Sequence, residues 1–237
     1  MLKRLLIPGV LVTLVVPGLA VAEQIVQISE VNTQANVFTI TDNGTGTGGS
    51  ETLTVTSAEI YFSYSTDLLT GIPQNELAYF SMTATTTTSA TEDPYGDITA
   101  PGFSGSFSIT DAASGQNLLS GTFASSGHIS GTSGGDEMTF ADSDTTQRPN
   151  EVTYTSAYLN FSGVTTEAFS FSMSNVTPAL ALDANDQFLE GTTAAGTATF
   201  SATPPPIVVA EPGTLVLAGG ALLGIGLIVR RRRLRAF

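Results

Sequence analysis

The feature that most constrains the fold is the alternation of apolar and polar residues in short segments between Glu23 and Pro204. Clusters of Gly, Ser, Asn and Asp, which favour turns, bound these segments. A period of two is typical of half-buried strands, and no segment here has the 3.6-residue period of an amphipathic helix. The alternation therefore predicts an all-β body.

Alternation and turn residues together predict ten strands, at residues 25–31, 36–41, 52–65, 76–87, 105–111, 118–124, 137–140, 152–162, 167–174 and 196–202. Short strands separated by turn-rich loops favour an antiparallel two-sheet sandwich of the jelly-roll type. A parallel β-helix is the alternative, although the sequence has no regular coil-length period. The chain has no cysteine, so its stability must come from a packed core rather than from disulfides.

An internal duplication is a further hypothesis, with chance resemblance between strands as the alternative. Two pairs of segments are similar: 54–63 with 153–162, and 76–82 with 167–173. In the first pair the apolar phase shifts by one residue, at Thr56 and Ser57 and again at Thr155 and Ser156, which predicts a bulge or bend at both places. The second pair predicts inward faces made by Ala78, Phe80 and Met82 and by Phe169, Phe171 and Met173.

Positive charge is confined almost entirely to the two ends of the chain. The whole sequence has a formal net charge of −13, but residues 23–209 contain twenty acidic residues and a single base, Arg148, which gives this body a net charge of about −19. Nucleic-acid binding depends on Lys and Arg neutralising phosphates, so it is excluded for such a body. Divalent cations are favoured over anionic partners.

The N-terminus has the three regions of a secretory signal peptide over residues 1–22. Lys3 and Arg4 precede an apolar run, and Ala20 and Ala22 form a small-x-small cleavage pattern. We therefore expect signal peptidase and an export machinery as partners and an acidic extracytoplasmic domain over residues 23–203.

The C-terminus has four parts: a proline-rich spacer at 204–209, a short motif, an apolar run at 215–229 and a basic end at 230–237. The motif is made of Glu211, Pro212, Gly213 and Thr214. The basic end contains Arg230, Arg231, Arg232, Arg233 and Arg235. Positive residues beside a span stay in the cytoplasm, so these arginines predict a cytoplasmic stop after a transmembrane helix at about 213–229 in the inner membrane. An ordinary single-pass anchor is the alternative to a processing signal.

Residues 210–237 resemble the PEP-CTERM sorting signal of Gram-negative bacteria, with Ala210 in place of the first proline of the motif. The resemblance implies recognition by exosortase, a membrane protease that removes such tails and releases the body to the cell surface or the extracellular matrix. Proteins of this group are linked to exopolysaccharide and biofilm formation. The resemblance covers only the tail and implies nothing about the fold of the body.

Motifs for catalysis are weak in this sequence. Residues 44–49 match the dinucleotide-binding pattern G-x-G-x-x-G, and residues 131–135 match the nucleophile-elbow pattern G-x-S-x-G. Both motifs function only where a strand is followed by a helix. The single histidine, His128, is expected in an exposed loop. We therefore expect no catalytic residues, no cofactor site and no enzyme. A secreted hydrolase remains a minor alternative.

Calcium is the metal ion that the sequence fits best. The alternative to a calcium site is an acidic loop that is simply solvated. Acidic and amide side chains cluster in two places, at Asp136, Glu137, Asp142 and Asp144 and at Asp183, Asn185 and Asp186. Hard cations take oxygen ligands of this kind.

The expected function is that of an exported structural or adhesive protein of the surface or matrix. The alternative is a carbohydrate-binding β-sandwich module, with or without calcium.

Overall fold

The computed structural model describes residues 23–31, 36–44, 49–65, 74–144, 150–183 and 187–208. These residues form strands and no helix: β1 (Glu23–Glu30), β2 (Phe38–Asp42), β3 (Glu51–Tyr64), β4 (Glu76–Thr86), β5 (Thr91–Glu92), β6 (Asp97–Asp111), β7 (Asn117–Thr132), β8 (Glu137–Ser143), β9 (Val152–Thr155), β10 (Leu159–Asn160), β11 (Thr166–Thr177), β12 (Thr192–Thr203) and β13 (Ile207–Val208). The all-β prediction is confirmed.

Eight of these strands close into an antiparallel barrel. The hydrogen-bonded order is β6, β4, β3, β1, β12, β11, β8 and β7, and β7 pairs again with β6. One continuous sheet therefore replaces the two separate sheets that a sandwich would have. Every pairing between the described strands is antiparallel, which contradicts the parallel β-helix.

At two positions around the barrel, two short strands lie end to end in the place of one long strand. Between β3 and β12, β1 fills one half of the space and β2 fills the other. Along β7, β8 pairs with one half and β9 with the other. Only β8 also pairs with β11, so the ladder is incomplete between β9 and β11.

All ten predicted strand segments overlap observed strands, and the largest differences are at β6, β7 and the predicted strand 152–162. β6 begins eight residues earlier than predicted, because a register shift at Pro101 and Gly102 lets the ladder continue across residues that look like breakers. The predicted strand 152–162 divides into β9 and β10. The spacer at 204–209 contributes β13, which pairs with β10.

The phase shift predicted at Thr56 and Ser57 is a β-bulge. The register between β3 and β4 shifts between Val55 and Ala58, and Ser57 has a φ of 46°. The extra residue brings the apolar side chains on both sides of the bulge to the same face of the strand. The core therefore contains Leu53 and Val55, which precede the bulge, and Ile60, which follows it. At the second predicted place β9 ends at Thr155 instead.

The barrel interior is filled by aromatic side chains. Phe171 lies at its centre, with five other phenylalanine rings at centroid distances between 5.5 and 6.0 Å: Phe38, Phe80, Phe140, Phe169 and Phe200. The two predicted inward faces are confirmed, since Ala78, Phe80 and Met82 and also Phe169, Phe171 and Met173 are buried. Among the described residues, side chains therefore fill the interior of this small barrel, as in other closely packed barrels of this size.

Candidate functional site

The candidate site is a surface cleft at the incomplete ladder between β9 and β11, which we call the seam. The cleft has a volume of about 450 Å³ and is lined by all four residues of β9, by both residues of β10, and by Asp144 and Glu167. It lies where β9 ends at Thr155 and where no backbone ladder joins β9 to β11. Hydroxyl, amide and carboxylate groups make up most of its lining.

Two carboxylates replace the missing backbone ladder across the seam. Asp144 accepts hydrogen bonds from the backbone N–H groups of Val152 in β9, at 2.8 Å, and Glu167 in β11, at 3.0 Å. The carboxylate of Glu167 in turn accepts one from the backbone N–H of Tyr154. These bonds satisfy donors that would otherwise be buried without partners, which is costly.

Glu167 is the most perturbed acid of the seam. Only 7% of its surface is exposed. Burial raises its pKa to about 7, the bond from the Tyr154 N–H lowers it in part, and the nearby charge of Asp144 raises it further. Glu167 therefore changes its protonation state near neutral pH.

Tyr154 joins the seam to the aromatic core. Its hydroxyl donates to the backbone carbonyl of Ala168 at 2.5 Å, and its ring contacts Phe107, Phe161 and Phe200 edge-on. Burial raises the pKa of this hydroxyl well above its usual value, and the charges of Glu167, Asp144 and Asp142 add to the effect. The hydroxyl thus stays protonated and serves as a fixed donor, not as a base.

Asp142, at the end of β8, is a further perturbed acid beside the seam. Burial raises its pKa, and the charge of Glu151 raises it further, while hydrogen bonds from Ser126 and Ser143 and the charge of His128 lower it. The site therefore combines titratable carboxylates with neutral hydroxyls and amides.

No protein-family model matches this chain. No curated protein and no solved structure matches it either. The chemistry of the seam must therefore be inferred from its own residues.

The acidic cluster predicted at residues 136–144 is not one loop. Asp136 and Glu137 lie exposed at the start of β8, whereas Asp142 and Asp144 lie at its far end, roughly 20 Å away at 3.3 Å per residue. A second cleft, of about 610 Å³, contains Asp136 and Glu137 together with Asp97. Among the described residues, no group of three or more His, Cys, Asp or Glu side chains is arranged to hold a metal ion.

The second predicted cluster is only partly described. Asp183 is buried and its carboxylate accepts hydrogen bonds from the backbone N–H groups of Gln187, at 2.9 Å, and Phe188, at 3.4 Å. Asn185 and Asp186 lie outside the described residues. For Asp183, the observed partners give it a role in organising the turn that leads to β12.

The two glycine motifs lie between antiparallel strands. Residues 44–49, of which only Gly44 and Gly49 are described, connect β2 to β3. Residues 131–135 comprise the last two residues of β7 and most of the turn that leads to β8. Neither is followed by a helix, so neither has the geometry that phosphate binding or a nucleophile elbow requires. His128 is exposed, as predicted, but it lies within β7 and not in a loop.

The residues of the predicted export and sorting signals lie outside the described part of the chain. These are Ala20 and Ala22 at the signal cleavage site, Glu211, Pro212, Gly213 and Thr214 of the sorting motif, and Arg230, Arg231, Arg232, Arg233 and Arg235. Within the described segments, no helix is long and apolar enough to cross a membrane.

Proposed function

We propose that this protein is an exported, non-enzymatic component of the cell surface or extracellular matrix, sorted by a PEP-CTERM-like tail. The observation that carries the proposal is the distribution of charge: seven of the eight basic residues lie at residues 3–4 and 230–235, beside apolar runs, while the body between them is strongly acidic. A body with this polarity is suited to export, and its terminal cations are suited to remain in the cytoplasm.

The structure of the body is compatible with a structural or adhesive role. Its interior is filled with side chains, and its clefts are lined by both polar and apolar groups. Ser133, the serine of the G-x-S-x-G motif, lies in the turn after β7, where it has no helix behind it. These features support a stable module with a structural role more than they support a catalyst.

The test of sorting is the intact mass of the protein recovered outside the cells. Loss of residues 1–22 and of the tail after the sorting motif is expected in cells that contain exosortase. Cells that lack exosortase should retain a membrane-bound form with the tail. A matched variant in which the five terminal arginines are changed to glutamine should mislocalise. Secreted protein that still carries Arg230–Arg235 would overturn the proposal.

Carbohydrate binding in the seam is the second candidate function. Its support is the lining of the cleft, where the exposed side chains of Thr153 and Thr155 lie close to Asn150, Asn160 and the ring of Phe161. A few hydroxyl and amide groups placed beside an aromatic ring can orient a polar small ligand, and a sugar is such a ligand. An exopolysaccharide is the partner that this arrangement favours.

The second candidate is tested by polysaccharide pull-down with the full-length protein in mild detergent. The double variant Thr153→Ala with Thr155→Ala should lose binding by about tenfold, because each lost hydrogen bond contributes about 0.5–1.5 kcal/mol. The matched control is Thr83→Ala with Thr85→Ala, two exposed threonines with the same spacing in β4. Equal binding by both double variants would exclude the seam as the binding site.

A further inference from the structure

Strand β7 has a pronounced irregularity at the point where its neighbour changes from β8 to β9. Between the pairs formed by Gly105 with Phe123 and by Phe103 with Gly127, β6 has one residue and β7 has three. Ser125, in the middle of this insertion, has a φ of 43°. Such bulges redirect side chains and often lie beside functional sites.

The bulge brings four oxygen-bearing groups from separate segments together, and we call them the bulge cluster: the carbonyl of Ala124, the hydroxyl of Ser126 and the carboxylates of Asp142 and Glu151. The Ser126 Oγ lies 2.5 Å from Asp142 Oδ1, 3.1 Å from Glu151 Oε2 and 3.1 Å from the carbonyl oxygen of Ala124. β7, β8 and the start of the β9 segment all contribute to this cluster.

Protein hydrogen bonds alone leave the bulge cluster unsatisfied. A serine hydroxyl has one proton, so it can donate to only one of the three acceptors around it. The Oδ2 atom of Asp142 is buried and has no hydrogen-bond partner, and only 4% of this residue is exposed. A buried carboxylate oxygen without a partner is costly. A cation beside Ser126 would neutralise the Asp142 carboxylate and bind the acceptors that the single serine proton leaves unsatisfied.

We propose that the bulge cluster is a Ca²⁺ site, with Asp142, Glu151, the Ser126 hydroxyl and the Ala124 carbonyl as protein ligands. Calcium takes six to eight oxygens at about 2.3–2.6 Å. The Ser126 Oγ lies 2.5–3.1 Å from the other three oxygens, which is close enough for all four to contact one ion. Two carboxylates balance the charge of the ion, and water would complete its coordination. Mg²⁺ fits less well, because it requires near-ideal octahedral geometry.

A calcium ion at this place would connect the strands beside the gap in the barrel ladder. The bulge cluster joins β7 to the end of β8 and to Glu151, the residue before β9, on the side of the barrel where β9 and β11 are not paired. Binding to the folded state alone raises stability by mass action. The inference depends on neither export nor carbohydrate binding, and its ligands share only Asp142 with the acidic runs named in the sequence.

The test is the thermal unfolding of the full-length protein in mild detergent, with CaCl₂, with MgCl₂ at the same concentration, or with a chelator. Calcium at about ten times its Kd should raise the Tm by about 3 °C or more over the chelated sample. Magnesium is the control for non-specific screening of the negative charge by a divalent cation. It should raise the Tm by less than half as much as calcium does. An equal shift with the two ions, or no shift at about 20 mM calcium, would overturn the proposal.

Variants locate the site. Asp142→Asn and Glu151→Gln should each abolish the calcium shift, and Ser126→Ala should weaken calcium binding by about tenfold in isothermal titration. The matched control is Glu30→Gln, because Glu30 is also a buried acid at a strand end with an unpartnered oxygen, but belongs to β1. Glu151 is only half-buried, so its variant should fold, as circular dichroism would verify. A full calcium shift in Glu151→Gln would refute the assignment.

Discussion

At the scale of single residues, the unusual feature of this protein is a set of buried acids at strand ends. Glu30, Glu51, Asp142 and Glu167 are all buried, and each lies two residues from a buried apolar residue on the same face of its strand: Ile28, Leu53, Phe140 and Phe169. Each carboxylate accepts a backbone N–H, from Gly196, Leu189, Ser143 and Tyr154 respectively. The acids thus act as substitutes for backbone acceptors where ladders end.

The burial of Glu51 should make the stability of the protein depend on pH, and this dependence can be measured. Burial raises its pKa from the ordinary value of 4.5 to about 7, the bond from the Leu189 N–H lowers it in part, and the charges of Asp42 and Asp183 raise it. A raised pKa means that the folded protein binds this proton more tightly than the unfolded chain does. The resulting stabilisation is complete below pH 4.5 and is lost as the pH rises through 7.

We therefore expect Glu51→Gln to stabilise the protein by about 1–3 kcal/mol at pH 8 and to change its stability by less than about 0.5 kcal/mol at pH 4. Urea unfolding at both pH values measures this difference. The control is Glu59→Gln, an exposed glutamate in the same strand, which should have little effect at either pH. Destabilisation by Glu51→Gln at pH 8 would contradict the assigned direction of the pKa shift.

At the scale of elements, bulges decide which faces of the long strands are buried. In β3, the bulge at Ser57 allows both halves of a 14-residue strand to point their apolar side chains inward. The Ser57 backbone N–H donates to the hydroxyl of Ser81 in β4 at 3.0 Å, which fixes the bulge. In β7, the bulge at residues 124–126 separates the half that pairs with β8 from the half that pairs with β9.

The bulge in β3 should be sensitive to the backbone preference of residue 57. Its positive φ is unfavourable for β-branched residues, so Ser57→Val should cost about 1–3 kcal/mol, whereas Ser57→Gly should stay within about 0.5 kcal/mol. Chemical denaturation provides the values. Thr56→Val, at the exposed neighbouring position, is the control and should be nearly neutral. A larger cost for the glycine variant than for the valine variant would exclude this explanation.

At the scale of the whole molecule, the dominant property is the negative charge of the body. With twenty acidic residues and one basic residue between Glu23 and Ala210, repulsion between surface carboxylates opposes the compact state. The same charge keeps copies of the protein apart in solution. Calcium in the bulge cluster would reduce the repulsion locally.

Salt should therefore stabilise the protein by screening. Raising NaCl from about 0.01 M to about 0.5 M shortens the screening length severalfold, and we expect the Tm to rise by about 2–6 °C in differential scanning calorimetry with calcium chelated. A variant with four exposed acids neutralised, Glu59→Gln, Glu76→Gln, Glu92→Gln and Glu190→Gln, should melt higher at low salt and respond less. An unchanged salt response in this variant would show that repulsion is not the cause.

The sequence by itself determined the all-β class, the approximate position of ten strands and the inward faces of β3, β4 and β11, because alternation is a local property that each strand displays in its own residues. It also contained the signal for the buried acids, since Glu51 and Glu167 continue the inward alternation of the strands that they begin. An acidic residue at an inward position near a strand end is easily mistaken for the first polar residue of the neighbouring turn.

Only the tertiary structure decided that the strands close into one barrel, that β8 and β9 share one edge of β7, and that the seam and the bulge cluster exist. These features depend on which strands pair and in what register, and the pairing joins residues as distant as Ile28 and Ala198. Backbone hydrogen bonds are the same for every residue type, so local sequence carries little information about distant partners. Ser126, Asp142 and Glu151 are brought together by two ladders and a bulge, and no spacing in the sequence could have shown it.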